Sequence, residues 1–197
     1  MGPGYADYAF YSAPVRAIVT IWGAWLLSWL IAAVWTGRTA IQLASGWQFL
    51  CRLMVVVGMG LLFLRLAPRG PQALWTSPPA LGWLMVAVVV AGFAFCWWAR
   101  LYIGRLWSSS ITLKEDHRVV DTGPYALVRH PIYTGILVAA AATAIELGAA
   151  ESFVGLGLMI LGYWIKARLE ESFLRGELGA ESYDAYARRT GMLLPFL

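Results

Sequence analysis

Charge is scarce in this sequence: only 13% of its 197 residues are charged, roughly half the share of an average soluble domain. Apolar residues make up 60% of the chain and the mean hydropathy is +0.65. A soluble globule of this size cannot hide so much apolar surface, which excludes a small soluble enzyme. Intrinsic disorder needs the opposite balance, low hydrophobicity with high charge, and is excluded with it. Cysteine is almost absent. Cys51 and Cys96 each sit inside a long apolar run, so they read as buried small hydrophobes, with no disulfide framework and no zinc spacing. The histidines, His117 and His130, share one loop without a fixed ligand spacing, so no metal site is expected. The opening stretch, Met1 to Ala13, lacks the basic segment and short apolar core of a cleaved signal peptide. Gly2 is followed by Ala6 where a myristoylation motif wants Ser or Thr.

Long apolar runs are what the sequence does have. A bilayer core of about 30 Å takes roughly 20 apolar residues in helix. Runs from about Val15 to Trp35, Trp47 to Leu66 and Pro79 to Ile103 meet that length. Two more follow a polar stretch from Gly104 to His130: Pro131 to Leu147, which is short, and Ser152 to about Arg168. The expectation is an all-α, polytopic membrane helix bundle of about five spans, forming one domain over 1–197. Within it, 1–103 reads as a three-helix scaffold. The connector, helical hairpin and C-terminal helices of 104–197 read as the half that carries chemistry. Gly148 to Glu151 is short enough to make the last two spans an antiparallel hairpin.

Five spans divide the cations unevenly. Arg38, Arg52, Arg100, Arg105, Lys114, Arg118, Arg129, Lys166, Arg168, Arg175, Arg188 and Arg189 fall on one side, and Arg16, Arg65 and Arg69 on the other. By the positive-inside bias the richer side faces the cytoplasm and the N-terminus faces out. A prokaryotic cytoplasmic membrane is the expected location. The net charge of +4 is then a membrane rim with some affinity for anionic lipid, and no nucleic-acid partner is expected. In the scaffold, Trp22, Trp25, Trp29, Trp35 and Trp47 read as lipid-facing or interfacial, and Gly58 and Gly60 as points of close helix approach.

Two concentrations of polar residues stand apart from this scaffold. The first is the loop before the fourth span, where Pro131 suits the first turn of a helix. Arg129 and His130 then sit beside the free amides of a helix N-terminus, a position that binds anions. The same residues also fit a basic loop with a capped helix start. The second concentration ends the fifth span. Tyr163, Lys166 and Glu170 share one helical face, and Trp164, Arg168 and Glu171 a neighbouring one. Simple intrahelical ion pairs explain these charges as well as a site does. The hairpin brings both concentrations to the same end of the bundle.

Together the motifs resemble the C-terminal signature of the isoprenylcysteine carboxyl methyltransferases. They are Gly123-Pro124-Tyr125, Arg129-His130-Pro131-Ile132-Tyr133-Thr134-Gly135, Glu170-Glu171-Ser172-Phe173-Leu174 and Tyr183-Asp184-Ala185-Tyr186. The resemblance covers about residues 100 to 197. It implies S-adenosylmethionine as methyl donor, S-adenosylhomocysteine as product, and a lipophilic or prenylated acceptor entering from the bilayer. By matching position, His117, Gly123, Tyr125, His130, Tyr133, Glu170 and Glu171 are the implied cofactor pocket. Arg129, Arg168 and Glu171 are the expected catalytic set, the two arginines being candidates for orienting an acceptor carboxylate because a guanidinium fork fits its two oxygens. A membrane reductase of the sterol-reductase type using NADPH, or a non-catalytic membrane partner with the same fold, are the competing readings.

Overall fold

A computed structural model of the chain describes residues 12–42, 46–67, 72–108, 110–114 and 119–195. Among them are six α-helices: α1 Ala13–Ala32, α2 Gly46–Leu62, α3 Pro79–Ile103, α4 Pro131–Leu147, α5 Ala150–Leu178 and α6 Ala180–Ala187. Helices α1, α3 and α5 are long and apolar enough to cross a membrane. The two 17-residue helices α2 and α4 reach roughly 25 Å at 1.5 Å per residue, close to the bilayer core thickness. Helix α4 tolerates its shortness because its neighbours cover it: Ala139, Ala140, Ala142, Thr143 and Ala144 are all buried.

Helix boundaries follow local chemistry. Ser12 accepts a hydrogen bond from the Val15 amide and caps α1. Prolines open α3 and α4, where the missing N–H has no partner to lose. Gly148 closes α4 in the left-handed region, φ 60°, a conformation in which a Cβ is strained. Helix α5 runs about ten residues past the expected end of its span, so the expected short helices after it reduce to α6 alone. The stretch between α1 and α2 also holds a strand. Thr39–Gln42 (β1) pairs antiparallel with Thr112–Lys114 (β2), tying that loop to the connector.

Successive apolar helices alternate in direction. At one end Pro14 of α1 touches Gly82 of α3 beside Glu146 of α4, and Arg65 after α2 donates to the Leu147 carbonyl. At the other end Arg100 of α3 donates to the carbonyls of Ala32 (2.9 Å) and Trp35 (2.6 Å). It also donates to that of Gly104 (2.7 Å). Its guanidinium lies between the rings of Trp35 and Trp107. Arg100 is fully buried, so its charge answers the exposed carbonyls of two helix C-termini. The sequence alone gives it the look of a rim cation; the structure makes it an internal clamp.

Small residues set the helix spacing, as they do where lipid supplies no hydrophobic drive. Gly92 of α3 and Gly135 of α4 face each other so closely that a Cβ on Gly92 would meet the Gly135 carbonyl oxygen at 2.7 Å. Gly58 of α2 meets Gly155 and Met159 of α5 in the same way, whereas Gly60 faces open space and has no such role. The tryptophans also depart from expectation. Trp22, Trp25 and Trp29 form a stripe at helical spacing that packs inward. Trp22 is 7% exposed and donates to Thr143 Oγ1 at 3.0 Å, and Trp25 stacks between Trp29 and Phe93. Trp35 and Trp47 are exposed, as interfacial residues would be.

Candidate active site

The end of the bundle held by Arg100 contains a cavity of about 240 Å³. The turn before α4 builds one wall. Gly123 opens it at φ 60°, and a Cβ there would collide with the Tyr102 ring. Tyr102 in turn donates to Thr122 Oγ1 at 2.7 Å. Next, the C-terminal tail straps the turn down through its main chain. The Arg129 amide donates to the Gly191 carbonyl (2.8 Å) and the His130 amide to that of Met192 (3.1 Å). Thr134 Oγ1 donates to Leu193 O at 2.8 Å, and Tyr186 Oη to Tyr125 O at 2.8 Å.

Helix α5 brings the second wall. Tyr133 Oη donates to Glu170 Oε2 at 2.8 Å. The His130, Tyr133 and Tyr163 rings form a stack, with centroids 5.2 and 4.8 Å apart. Lys166 Nζ stands 5.1 Å from the Tyr133 centroid. Behind the stack, Glu171 accepts from Arg129 Nε at 2.6 Å and lies 3.2 Å from His130 Nε2. Arg129 also donates through Nη1 to the carbonyls of Ala187 (3.0 Å) and Thr190. One guanidinium therefore joins the turn, α5 and the tail, in a setting where both ionic side chains are only about one-tenth exposed.

Burial raises the phenols of Tyr125, Tyr183 and Tyr186, and nearby acids reinforce it: Glu170 at Tyr125, Glu171 and Glu170 at Tyr183, Asp121 at Tyr186. All three line the cavity and stay protonated donors at neutral pH.

Of the residues expected in a cofactor pocket, Tyr125, His130, Tyr133 and Glu170 line this cavity, and Arg129 reaches it too. Glu171 stands behind them as a positioning group, and Gly123 shapes the turn. His117 lies outside the described residues. Arg168 is not brought to the cavity: it is two residues from Lys166, and residues at that spacing do not share a helical face. It lines a separate crevice with Trp164 and the tail. Nor is the Arg129 fork open for an acceptor, since Nε and Nη1 are already engaged. Glu171 shares a helical face with Arg168 in the sequence, yet its ion pair is with Arg129. Sequence reasoning missed Trp29 and Trp107 as cavity walls. Only the i, i+3, i+7 spacing of Trp22, Trp25 and Trp29 could have signalled that Trp29 faces inward.

The cavity suits a ligand that is cationic at one point and anionic at another: a carboxylate beside stacked aromatic faces, then an amine and first-turn amides. No group of three or more His, Cys, Asp or Glu side chains that could hold a metal ion occurs among the described residues.

Comparison with known proteins places these residues in context. The chain is 33% identical over 113 residues to the probable protein-S-isoprenylcysteine O-methyltransferases of Oryza sativa subsp. indica and subsp. japonica, covering 57% of this chain and 53% of each of those proteins. It is 32% identical over 128 residues to the cobalt-zinc-cadmium resistance protein CzcN of Cupriavidus metallidurans, covering 62% of this chain and 52% of that protein. The chain thus spans about half the length of the curated relatives it matches. Over residues 84–175, from α3 through the cavity-lining face of α5, it matches the isoprenylcysteine carboxyl methyltransferase family.

Proposed function

We propose that this chain is an S-adenosylmethionine-dependent methyltransferase acting on the carboxylate of an isoprenylcysteine-like, membrane-embedded acceptor. The observation that carries the reading is the Glu170 carboxylate held by Tyr133 at the edge of the His130–Tyr133–Tyr163 stack. When bound, S-adenosylmethionine supplies an electrophilic methyl group on a sulfonium centre. Glu170 accepts from the donor's ammonium or ribose hydroxyls, with charge-assisted bonds roughly twice as strong as neutral ones. Aromatic faces beside the sulfonium add about 2 kcal/mol once water is excluded. His130 and the first-turn amides of α4 hold the donor's carboxylate.

Methylation of a carboxylate forms a C–O bond as a C–S bond breaks, and opposite charges disappear. The protein then needs alignment and a dry pocket more than acid–base chemistry. The cavity's apolar walls, Trp29, Ile103, Ile132 and Ile136, provide that dryness. Glu171 and Arg129 act as positioning residues through His130 and the tail. The charged end of the bundle faces the cytoplasm by the positive-inside bias.

The test is a thermal-shift titration of the purified protein with S-adenosylhomocysteine and with NADPH, followed by a labelled-methyl assay on a farnesylated cysteine analogue. Stabilisation by S-adenosylhomocysteine and labelling of the analogue are expected. Stabilisation by NADPH alone would reject this reading in favour of a reductase.

A further inference from the structure

A second hollow, about 680 Å³, opens on the far side of the Arg129 wall. Its lining includes Arg129, Arg168, Arg188 and Arg189, and none of the described residues that line it bears a carboxylate. Two of the four guanidinia are committed: Arg129 to Glu171, and Arg189 to Asp121 and the Ala185 carbonyl. Arg168 and Arg188 form no ion pair with a described carboxylate. Arg168 instead lies over the Trp164 ring, 5.5 Å from its centroid.

An apolar track leads into this hollow. Val154, Leu161 and Trp164 of α5 are 58%, 46% and 44% exposed, and with Gly157 they follow helical spacing along one stripe that ends at Arg168. A basic rim by itself is ordinary for a membrane protein. Here the basic rim is concave, has no counter-charge among the described residues of its walls, and continues an exposed apolar stripe.

We propose that this hollow binds an anionic phospholipid, its phosphate between Arg168 and Arg188 and one acyl chain along the Val154–Leu161–Trp164 stripe. The guanidinium fork matches phosphate oxygens, and Trp164 sits where an interfacial aromatic is favoured. A lipophilic carboxylate has similar chemistry. A phospholipid is the better occupant because Arg129 and Glu171 stand between this hollow and the cavity that holds Glu170, so a group bound here is out of reach of that site. Through Arg129, which belongs to both walls, the bound phosphate braces the cavity from behind.

The test uses the full chain in detergent without methyl donor. Native mass spectrometry counts retained phosphatidylglycerol against phosphatidylcholine, and brominated phosphatidylglycerol reports quenching of Trp164. Wild type retains phosphatidylglycerol preferentially. Arg188→Gln weakens that retention about fivefold, as the loss of one surface cation should, while Arg188→Lys keeps it. Trp164→Phe lowers the quenched fraction by the share that Trp164 contributes. Folding of each variant is checked by its unfolding temperature, so failure of the methyltransferase reading leaves this test intact. Undiminished retention in the Arg168→Gln/Arg188→Gln double variant overturns the proposal. So does displacement by inorganic phosphate alone, which leaves the apolar stripe no part. Displacement by farnesylcysteine in preference to phosphatidylglycerol also overturns it, and would mark the hollow as an acceptor entrance.

Discussion

Replacing Glu171 by glutamine keeps the shape of the side chain and removes its charge. The lost partners are defined: Arg129 Nε at 2.6 Å and His130 Nε2 at 3.2 Å, both onto Oε1. Arg129 and Glu171 are 11% and 12% exposed, so the small value of a surface ion pair does not apply. Breaking a buried pair outright costs about 3–5 kcal/mol because the survivor is left unpaired. Arg129 is not left wholly unpaired, since the carbonyls of Ala187 and Thr190 still hold it, and the new amide oxygen still accepts one neutral bond. The expected loss therefore falls to about 1.5–3 kcal/mol, the range of a hydrogen bond to a charged group.

That loss is local to the junction of turn, helix and tail. It should weaken S-adenosylhomocysteine affinity about 10- to 100-fold, at 1.4 kcal/mol per factor of ten. Calorimetric titration measures the affinity. Hydrogen exchange at the Arg129 and His130 amides, which donate into the tail, measures the loosening. An affinity within twofold of wild type, with those amides equally protected, would refute the positioning role of Glu171.

Other consequences are simpler to check. Gly135→Ala places a methyl group 2.5 Å from Cys96 Sγ and against the Gly92 carbonyl, a backbone that cannot swing aside. Overpacking of this kind costs about 1–3 kcal/mol, so the unfolding midpoint drops clearly; an unchanged midpoint would show that α3 and α4 are not held at this distance. A third expectation concerns alkaline pH. The raised phenols of Tyr125 and Tyr183 start from an ordinary value of 10.0. Their contribution to stability is then present in full below about pH 10 and lost as the pH climbs above it, because the unfolded chain releases those protons first. Alkaline unfolding followed by tyrosinate absorbance should show ionisation together with unfolding, whereas ionisation of these phenols in the folded protein would contradict their burial.

Much of the fold is legible in the sequence because single residues mark it. Pro79 and Pro131 begin their helices, and Gly104 and Gly148 end them. The alternation of helix direction follows from loop lengths, and the meeting of His130 with Glu170 and Glu171 follows from that alternation. The tryptophan stripe is misread for a physical reason: an apolar ring at helical spacing suits lipid and protein interior equally. Arg100 is misread because a cation that satisfies helix-end carbonyls has the same sequence appearance as one at the rim. Part of the tail's grip on the turn leaves no residue signature. The bonds from the Arg129 and His130 amides to the Gly191 and Met192 carbonyls are main-chain, which any side chains would supply.

That grip fixes an order of assembly. Trp29 belongs to the first helix, yet the turn that completes the same cavity is held by carbonyls of residues 187–193. During synthesis the bundle can therefore insert and pack helix by helix while this cavity remains unbuilt. The chamber closes only when the 187–193 segment has left the ribosome and folded back on the turn before α4. A chain stopped short of that segment would sit in the bilayer as a helix bundle without the cavity.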